Sequence, residues 1–419
     1  MQRVVVVGAS LAGLSAARAL RAQGFGGELV LVGDERHRPY DRPPLSKAFL
    51  AGGLEVADLA LEGEDDDLGA RWLLGLRATS LDAGNRTLTL SDGSELSADG
   101  IVVATGARAR TLPDAGGVRG AADATGLAGV HTLRSLDDAL ALRQELLPGR
   151  RLVVVGAGFI GAETASTARS LDLEVTVIEA MPTPLSGPLG VEMGSVVAQL
   201  HTDHGVTLVC GTGVRRLTGT GRVDGVELAD GRLLPADVVV VGIGAVPNIE
   251  WLDGSGLELG DGVPCDGVLC DAGGLTNRPG IVAVGDCAAW RDGASGTHRR
   301  VEHWTDALER PKVAVASLLS GSSTGANTRP PYFWSDQYDA CIQFAGSAHG
   351  GEAVTIEIGD PAVRSFLATY RQEGKLVAVL GMNQVRQFSR WRRQLPGIPA
   401  PQGPVVTHPQ LSSLFQERP

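Results

Sequence analysis

The 419-residue chain is 43% hydrophobic and 20% charged, with a formal net charge of −11 at pH 7. That balance describes a globular protein of two to three domains and speaks against an extended nucleic-acid surface, leaving room only for a local basic patch. No apolar run reaches the roughly twenty residues that span a bilayer. A strand pattern beginning at Arg3 leaves no room for a signal peptide, so a cytoplasmic location is expected.

In chain order, "RVVVV" (3–7) is the continuous β-branched run of a strand buried on both faces. "LAGLSAARALRAQG" (11–24) follows as a helix ended by Gly24, and "GELVLVGDE" (27–35) as the next strand, completing a βαβ unit. "TLTLSDGSELSADGIVVATGA" (87–107) reads as a meander followed by a strand returning to that sheet. Residues 151–179 repeat the plan with "RLVVVG", "AGFIGAETASTARSL" and "EVTVIE", and "GVELADGRLLPADVVVVGIGAVPN" (225–248) repeats the meander. The two loops start 148 residues apart, too far for a solenoid repeat, so they mark two nucleotide domains, one inserted into the other. "GIVAVGDCAAW" (280–290) reads as a further strand leading into a helix. After a linker, "SGSSTGANTRPP" (320–331), come "PYFWSDQYDACIQFAG", a hairpin in "RSFLATYRQEGKLVAVLGM", a helix in "NQVRQFSRWRRQL" and a Pro-rich tail.

The loop Gly156-Ala157-Gly158-Phe159-Ile160-Gly161 has a strand before it and a helix after it. Its first glycine permits the tight turn, its second admits a pyrophosphate, and its third lets helix and strand pack closely. The pyrophosphate would lie against free N–H groups at the positive end of the helix. Glu179 ends the following strand, 23 residues after Gly156, where it can accept both ribose hydroxyls. Ala180-Met181-Pro182-Thr183 follows without an arginine to pair a 2′-phosphate, which favours NADH over NADPH. The loop Gly8-Ala9-Ser10-Leu11-Ala12-Gly13 has the same context, with Asp34 and Glu35 ending its next strand, but serine replaces its middle glycine. Taken alone, it is equally an ordinary strand–turn–helix.

Other features are weaker. The five cysteines (Cys210, Cys265, Cys270, Cys287 and Cys341) are odd in number and scattered, as reduced thiols are, and "CDGVLC" reads as a turn followed by a short strand. His201 and His204 lack a wider ligand cluster and read as an exposed helix end, with no metal expected. Arg386, Arg390 and Arg393 share one stripe of the last helix, with Val385, Phe388, Trp391 and Leu395 on its buried side. That stripe is either a solvated face or a docking patch for an acidic partner.

"ATGARAR" (104–110), "TNRPGIVAVGDCA" (276–288) and "PYDRPPLSK" (39–47) together resemble the two-dinucleotide-binding-domain flavoprotein reductases. "YDRPPLSK", "RVEHW" (300–304) and "PYFWSDQY" (331–338) narrow the resemblance to the FAD-dependent NADH:ferredoxin reductases, which serve cytochromes P450 and ring-hydroxylating dioxygenases, with rubredoxin reductases close by. The resemblance covers nearly the whole chain. It implies an α/β fold of two Rossmann-like, three-layer, glutathione-reductase-like domains plus a small C-terminal α/β domain. The FAD domain is expected over 1–109 and 236–322, the NADH domain over 110–235, and the C-terminal domain over 323–419.

The resemblance also assigns residues. FAD would rest on Gly8, Ser10, Leu11, Ala12 and Gly13, with Glu35 or Asp34 at the adenosine ribose and Ala78 offering backbone to the adenine. Arg42 and Lys47 would lie along the cofactor, with Thr105, Gly106 and Arg110 from "ATGARAR", Asp286 at the ribityl chain, and Glu302, His303 and Trp304 by the flavin ring. NADH would take Gly156, Gly158, Phe159, Ile160, Gly161, Glu163 and Glu179, with Gly242, Ile243 and Gly244. Glu163, expected in the first turn of its helix, has a bland explanation in the helix dipole. The family pattern instead pairs it with Lys47 as the catalytic pair, the ammonium supporting the reduced flavin. Asp286 also reads as a helix N-cap. "PPLSKAFLAGG" holds no cysteine where disulfide reductases of this fold carry a pair, so electrons would leave the flavin directly, to a [2Fe–2S] ferredoxin. Rivals are a rubredoxin reductase, an NADH oxidase, and a flavin-bearing scaffold like the apoptosis-inducing relatives.

Overall fold

The computed structural model describes residues 1–63, 66–112, 126–262, 265–292, 296–325, 329–348 and 351–396. Its α-helices are α1 (Leu11–Ala22), α2 (Leu136–Arg143), α3 (Phe159–Ser170), α4 (Ser186–Asp203), α5 (Trp304–Ser320) and α6 (Val385–Arg392). Each βαβ unit grows into a five-stranded parallel sheet. In the first, Arg3–Val7 lies between Glu28–Gly33 and Gly100–Val103, with Ala70–Leu74 and Ile281–Ala283 at the edges. Val4, Val5 and Val6 are fully buried, as their β-branched run requires, and α1 and α5 pack together on this core.

The second sheet sets Arg151–Val155 between Glu174–Glu179 and Val238–Val241, with Thr207–Cys210 and Val130–His131 outermost. Val238–Val241 pairs in register with Leu152–Val155, so the chain does not leave this unit at 235/236, the boundary expected from the sequence. Four consecutive valines require burial on both faces, and this sheet supplies it. The return comes later, where Ala245–Pro247 pairs antiparallel with Ala107–Ala109.

Two segments tie the units together. Tyr40, Leu45, Phe49, Leu50 and Leu59 follow the first unit in sequence, yet they pack into the core of the second beside Leu136, Leu152 and Val154. The C-terminal sheet is antiparallel, in the order Tyr332–Gln337, Ala340–Gly346, Lys375–Met382, Ser365–Gln372, Ala353–Asp360. One face takes Phe388 of α6 and Leu395 against Leu367 and Val379. The other takes α4, whose Leu189, Met193, Val197 and Leu200 meet Ile342, Phe344, Phe366 and Tyr370. Helix α4 kinks at Gly190 (φ 76°, ψ 165°), and the Leu189 carbonyl accepts a hydrogen bond from the Tyr370 hydroxyl at 2.8 Å.

Three local expectations change. "GIVAVGDCAAW" is the strand Ile281–Ala283, a short 3-10 turn at Gly285–Cys287 and then a second strand, Ala288–Arg291; Ala288 and Ala289 are claimed by a ladder with Val268 and Leu269, so no α-helix follows. "CDGVLC" is one strand, Cys265–Cys270, with no turn inside it. At about 3.3 Å per residue its ends lie about 16 Å apart, beyond disulfide reach. His201 is not at an exposed end but 2% exposed against the C-terminal sheet, sharing a 2.7 Å hydrogen bond with the Tyr338 hydroxyl. His204 stacks on the same Tyr338 ring, 4.3 Å away. Among the described residues no cluster could hold a metal ion.

Candidate functional site

The glycine-rich loop of the first unit is built by close approach. A Cβ on Gly8 (φ +123°) would stand 2.0 Å from the Ala104 carbonyl oxygen, and one on Gly13 1.8 Å from that of Gly8. Leu11 and Ala12 are buried in the opening of α1. Ser10 is the N-cap of α1, but its Oγ does not cap the helix; it accepts from Arg42 Nε at 3.3 Å.

Arg42 is the hub of a charged cluster. It donates to Glu35 Oε1 at 2.5 Å, to the Tyr40 hydroxyl at 3.0 Å and to the Arg134 carbonyl at 2.7 Å. Tyr40 donates to Glu35 Oε2 at 2.5 Å and accepts from Leu136 N–H. Burial pushes the Tyr40 phenol up, and Glu35 adds to it. For Arg42 burial works against the charge, but Tyr40 and Glu35 hold it more firmly protonated than usual. Of the two candidate ribose acceptors, Glu35 therefore faces the loop. Asp34 points outward to Arg77 at 3.5 Å and is 66% exposed.

Asp286 stands in the 3-10 turn after Ile281–Ala283 and pairs with Arg134 Nη2 at 2.5 Å. Arg134 is a site residue that sequence reasoning missed. Its only local sign is its place before the capping Ser135 of α2, where its N–H donates to Asp138. Thr105 and Gly106 sit at the crossing between units, locked to Asn248 by three hydrogen bonds. Arg110 is exposed; its backbone N–H donates to the Gly244 carbonyl and its guanidinium to that of Ala245. Ala78 is buried in its strand, opposite Leu90. Trp304 Nε1 donates to Asp41 at 2.8 Å, and Glu302 pairs with Arg300. Burial lowers the His303 imidazole below its usual range, and its buried Nδ1 has no hydrogen-bond partner among the described residues.

The second loop repeats the first. A Cβ on Gly156 (φ +100°) would stand 2.3 Å from the Gly242 oxygen, and one on Gly161 2.1 Å from the Gly156 oxygen. At Gly158 and Gly244, by contrast, a Cβ would meet nothing within 4 Å. Glu179 folds back over the loop, accepting from Ala157 N–H and Met181 N–H, both at 2.9 Å. Ile160 is exposed, Ile243 packs at the edge of the second unit's core, and the Phe159 ring lies 4.5 Å from Phe333.

Glu163 is the fifth residue of α3, not in its first turn, so the helix terminus does not explain it. It is 3% exposed, and partners satisfy it directly. Lys47 Nζ lies 2.7 Å from Oε2, Ser46 Oγ donates to Oε2 at 2.5 Å, and Ser335 Oγ donates to Oε1 at 2.7 Å. The Pro43–Ser46 turn delivers Lys47 to α3 because Leu45 and Phe49 anchor it in the second core. Burial pushes the thiols of Cys270 and Cys287 up, which leaves them poor nucleophiles. Arg386, Arg390 and Arg393 are all exposed, while Arg392 lies over the Tyr332 ring at 4.1 Å.

The donor set fits two dinucleotides. Each loop opens a helix whose first N–H groups could hold a pyrophosphate, with Glu35 or Glu179 as the carboxylate for a ribose, and Asp286 could take polyol hydroxyls. The space beside Gly158 is left open by the described residues.

Comparison with known proteins agrees with this arrangement. The chain is 38% identical over 392 residues to the ferredoxin reductase component of a chlorobenzene dioxygenase from Cupriavidus sp. (strain PS12), covering 92% of this chain and 90% of that one. It is 36% identical to rhodocoxin reductase of Rhodococcus erythropolis, covering 94% and 89%. Among solved structures, the covalent putidaredoxin reductase–putidaredoxin complex superposes with a TM-score of 0.86 at 33% identity, covering 94% of this chain and 92% of that one. Residues 332–402 match the reductase C-terminal domain. With residues 2–310 matching as well, the chain belongs to the pyridine nucleotide-disulphide oxidoreductase family.

Proposed function

We propose that this protein is an FAD-dependent NADH:ferredoxin reductase working in the cytoplasm, drawing electrons from NADH and delivering them to a [2Fe–2S] ferredoxin that serves a cytochrome P450 or a ring-hydroxylating dioxygenase. The Lys47–Glu163 pair, its carboxylate buried and its ammonium partly so, carries the reading. It stands where the cofactor-binding segment meets the NADH helix, in a stretch with no cysteine to relay electrons. When bound, FAD supplies the conversion of a two-electron donor into one-electron transfers that no side chain provides.

The chain's own residues bind and orient. The N–H groups opening α1 would hold the FAD pyrophosphate; Glu35 would take the ribose and Asp286, steadied by Arg134, the ribityl hydroxyls. Gly158 leaves room for NADH, and Glu179 disfavours a 2′-phosphate because no arginine follows it over 180–183 to neutralise one. Lys47 presents positive charge to the flavin ring, and Trp304 borders it. Residues 1–109, with the return segment after Val241 to about residue 322, form the FAD domain around the inserted NADH domain. Arg386, Arg390 and Arg393 form the docking patch for an acidic ferredoxin.

The test is NADH-dependent cytochrome c reduction by the FAD-loaded protein with a panel of ferredoxins and rubredoxins. Turnover that requires added [2Fe–2S] ferredoxin is expected. Equal turnover without any carrier overturns the acceptor assignment in favour of an oxidase.

A further inference from the structure

Besides Lys47 and Ser46, Glu163 has a third donor, from a region nearly 300 residues beyond Lys47 in the chain. Ser335 lies in the strand Tyr332–Gln337 of the C-terminal sheet and is completely buried. Its hydroxyl donates to Glu163 Oε1 at 2.7 Å, and its oxygen accepts from Gln337 Nε2 at 3.1 Å. A hydroxyl has one proton. With Gln337 donating to its oxygen, that proton is aimed at the carboxylate.

The strand is held on α3 along its length. Phe333 packs on Phe159, and Tyr338 N–H donates to Ser166 Oγ at 2.5 Å. Tyr338 has a left-handed backbone (φ 55°), a conformation that costs energy for a non-glycine residue; its hydrogen bonds to Ser166 and His201 hold it there. These contacts bring the Ser335 hydroxyl to a fixed point beside Glu163.

The division of labour at the carboxylate is uneven. Oε2 is shared by Lys47 and Ser46, while Oε1 receives Ser335. Without Ser335, Oε1 would be a buried carboxylate oxygen short of its donor, a costly kind of unsatisfied group. The carboxylate would turn to share its other donors, and Lys47 would follow it. Lys47 has somewhere to go, because its Nζ already lies 3.1 Å from the Pro43 carbonyl.

We propose that Ser335 is a positioning residue for electron entry: the C-terminal sheet fixes the Glu163 carboxylate and, through it, the Lys47 ammonium against the flavin. This rests on the reading of Lys47 given above. It makes the C-terminal domain part of the NADH half-reaction as well as of partner docking.

The test uses FAD-loaded protein carrying Ser335→Ala, Lys47→Met or both, with stopped-flow reduction by NADH and the flavin midpoint potential as readouts. Ser335→Ala should slow the limiting rate of reduction roughly ten- to a hundred-fold, as loss of a charge-assisted hydrogen bond does, with half-saturating NADH unchanged. The midpoint potential should shift negative, in the direction that Lys47→Met shifts it, and Ser335→Thr should restore most of both. In the Lys47→Met background, Ser335→Ala should add nothing. An equal slowing in both backgrounds overturns the proposal, because a merely structural serine would act regardless of Lys47. If Lys47→Met is slow and Ser335→Ala is normal, the inference about Ser335 fails alone; if Lys47→Met is itself normal, the reading beneath it fails. Should Ser335→Ala not fold, Gln337→Leu frees the hydroxyl's direction instead, and an unchanged rate there is equally decisive against the proposal.

Discussion

Replacing Gly158 by alanine separates two reasons for having glycine in a nucleotide loop. At Gly8, Gly13, Gly156 and Gly161 an added Cβ would sit 1.8 to 2.3 Å from a backbone oxygen of the chain itself. Gly158 differs. Its backbone (φ −74°, ψ 179°) is one any residue adopts, and nothing lies within 4 Å of its Cβ position. Gly158→Ala should therefore keep the fold with a stability change within about 1 kcal/mol, the freedom lost from the unfolded chain offsetting alanine's poorer fit at the N-cap of α3. The same methyl group takes the ground a pyrophosphate needs to reach the N–H groups opening α3. Losing one such charge-assisted hydrogen bond costs about 1.5–3 kcal/mol, which is at least about ten-fold in affinity. The assay is the KM for NADH with ferricyanide as acceptor, read beside the FAD content and the thermal midpoint. A KM unchanged from the parent, or a protein that no longer folds, would refute the reasoning.

Ser10 holds the equivalent place in the first loop, with its side chain turned toward Arg42. Ser10→Gly should alter FAD affinity by less than about ten-fold, since Arg42 keeps Glu35, Tyr40 and the Arg134 carbonyl; flavin release titrations check this, and a larger loss would put the hydroxyl on phosphate. Burial, with help from His204, holds His201 down to about 4, below the ordinary histidine value of 6.5. The unfolded chain then binds more protons between those values, so stability should be fully present above pH 6.5 and fall by up to about 3 kcal/mol as pH drops to 4. Denaturation midpoints at pH 7 and pH 5 should diverge less in His201→Gln than in the parent, and equal divergence would sink the account. Changing Arg386, Arg390 and Arg393 together to glutamate should raise the KM for ferredoxin by roughly ten-fold or more and flatten its salt dependence. Ferricyanide turnover should not change; a parallel loss there would point to damage at the flavin.

Both parallel sheets were legible in the sequence because a buried central strand and a glycine turn leave short-range signatures, as in "RVVVVGAS" and "RLVVVGAG". The Lys47–Glu163 pairing came from family resemblance, and 116 residues separate its members. Arg134, Ser46 and Ser335 were not legible, since each is ordinary in its own segment and acquires a role only through partners supplied by the fold. Asp286 misled for a related reason. The alanines after it favour a helix locally, but a ladder on either side claims them as a strand. The same override moved the return between units beyond 235, because the meander ends before the valine run that belongs to the second sheet.

Helix α4 bridges the second unit, where it lies beside α3 and Thr207–Cys210, and the C-terminal sheet. It is part of the second unit, yet its Leu189, Met193, Val197 and Leu200 are covered by the C-terminal sheet, and Tyr370 caps the carbonyl at its kink. The unit of exchange between relatives is therefore not the C-terminal domain cut at its linker. A graft that trades acceptor specificity by swapping residues from 323 onward would place a foreign sheet on this helix, stranding an apolar stripe and an unpaired carbonyl. Engineers recombining such reductases should move α4 together with the sheet, and Ser166 of α3 with the Tyr338 turn, so that each seam falls in solvent instead of through a core.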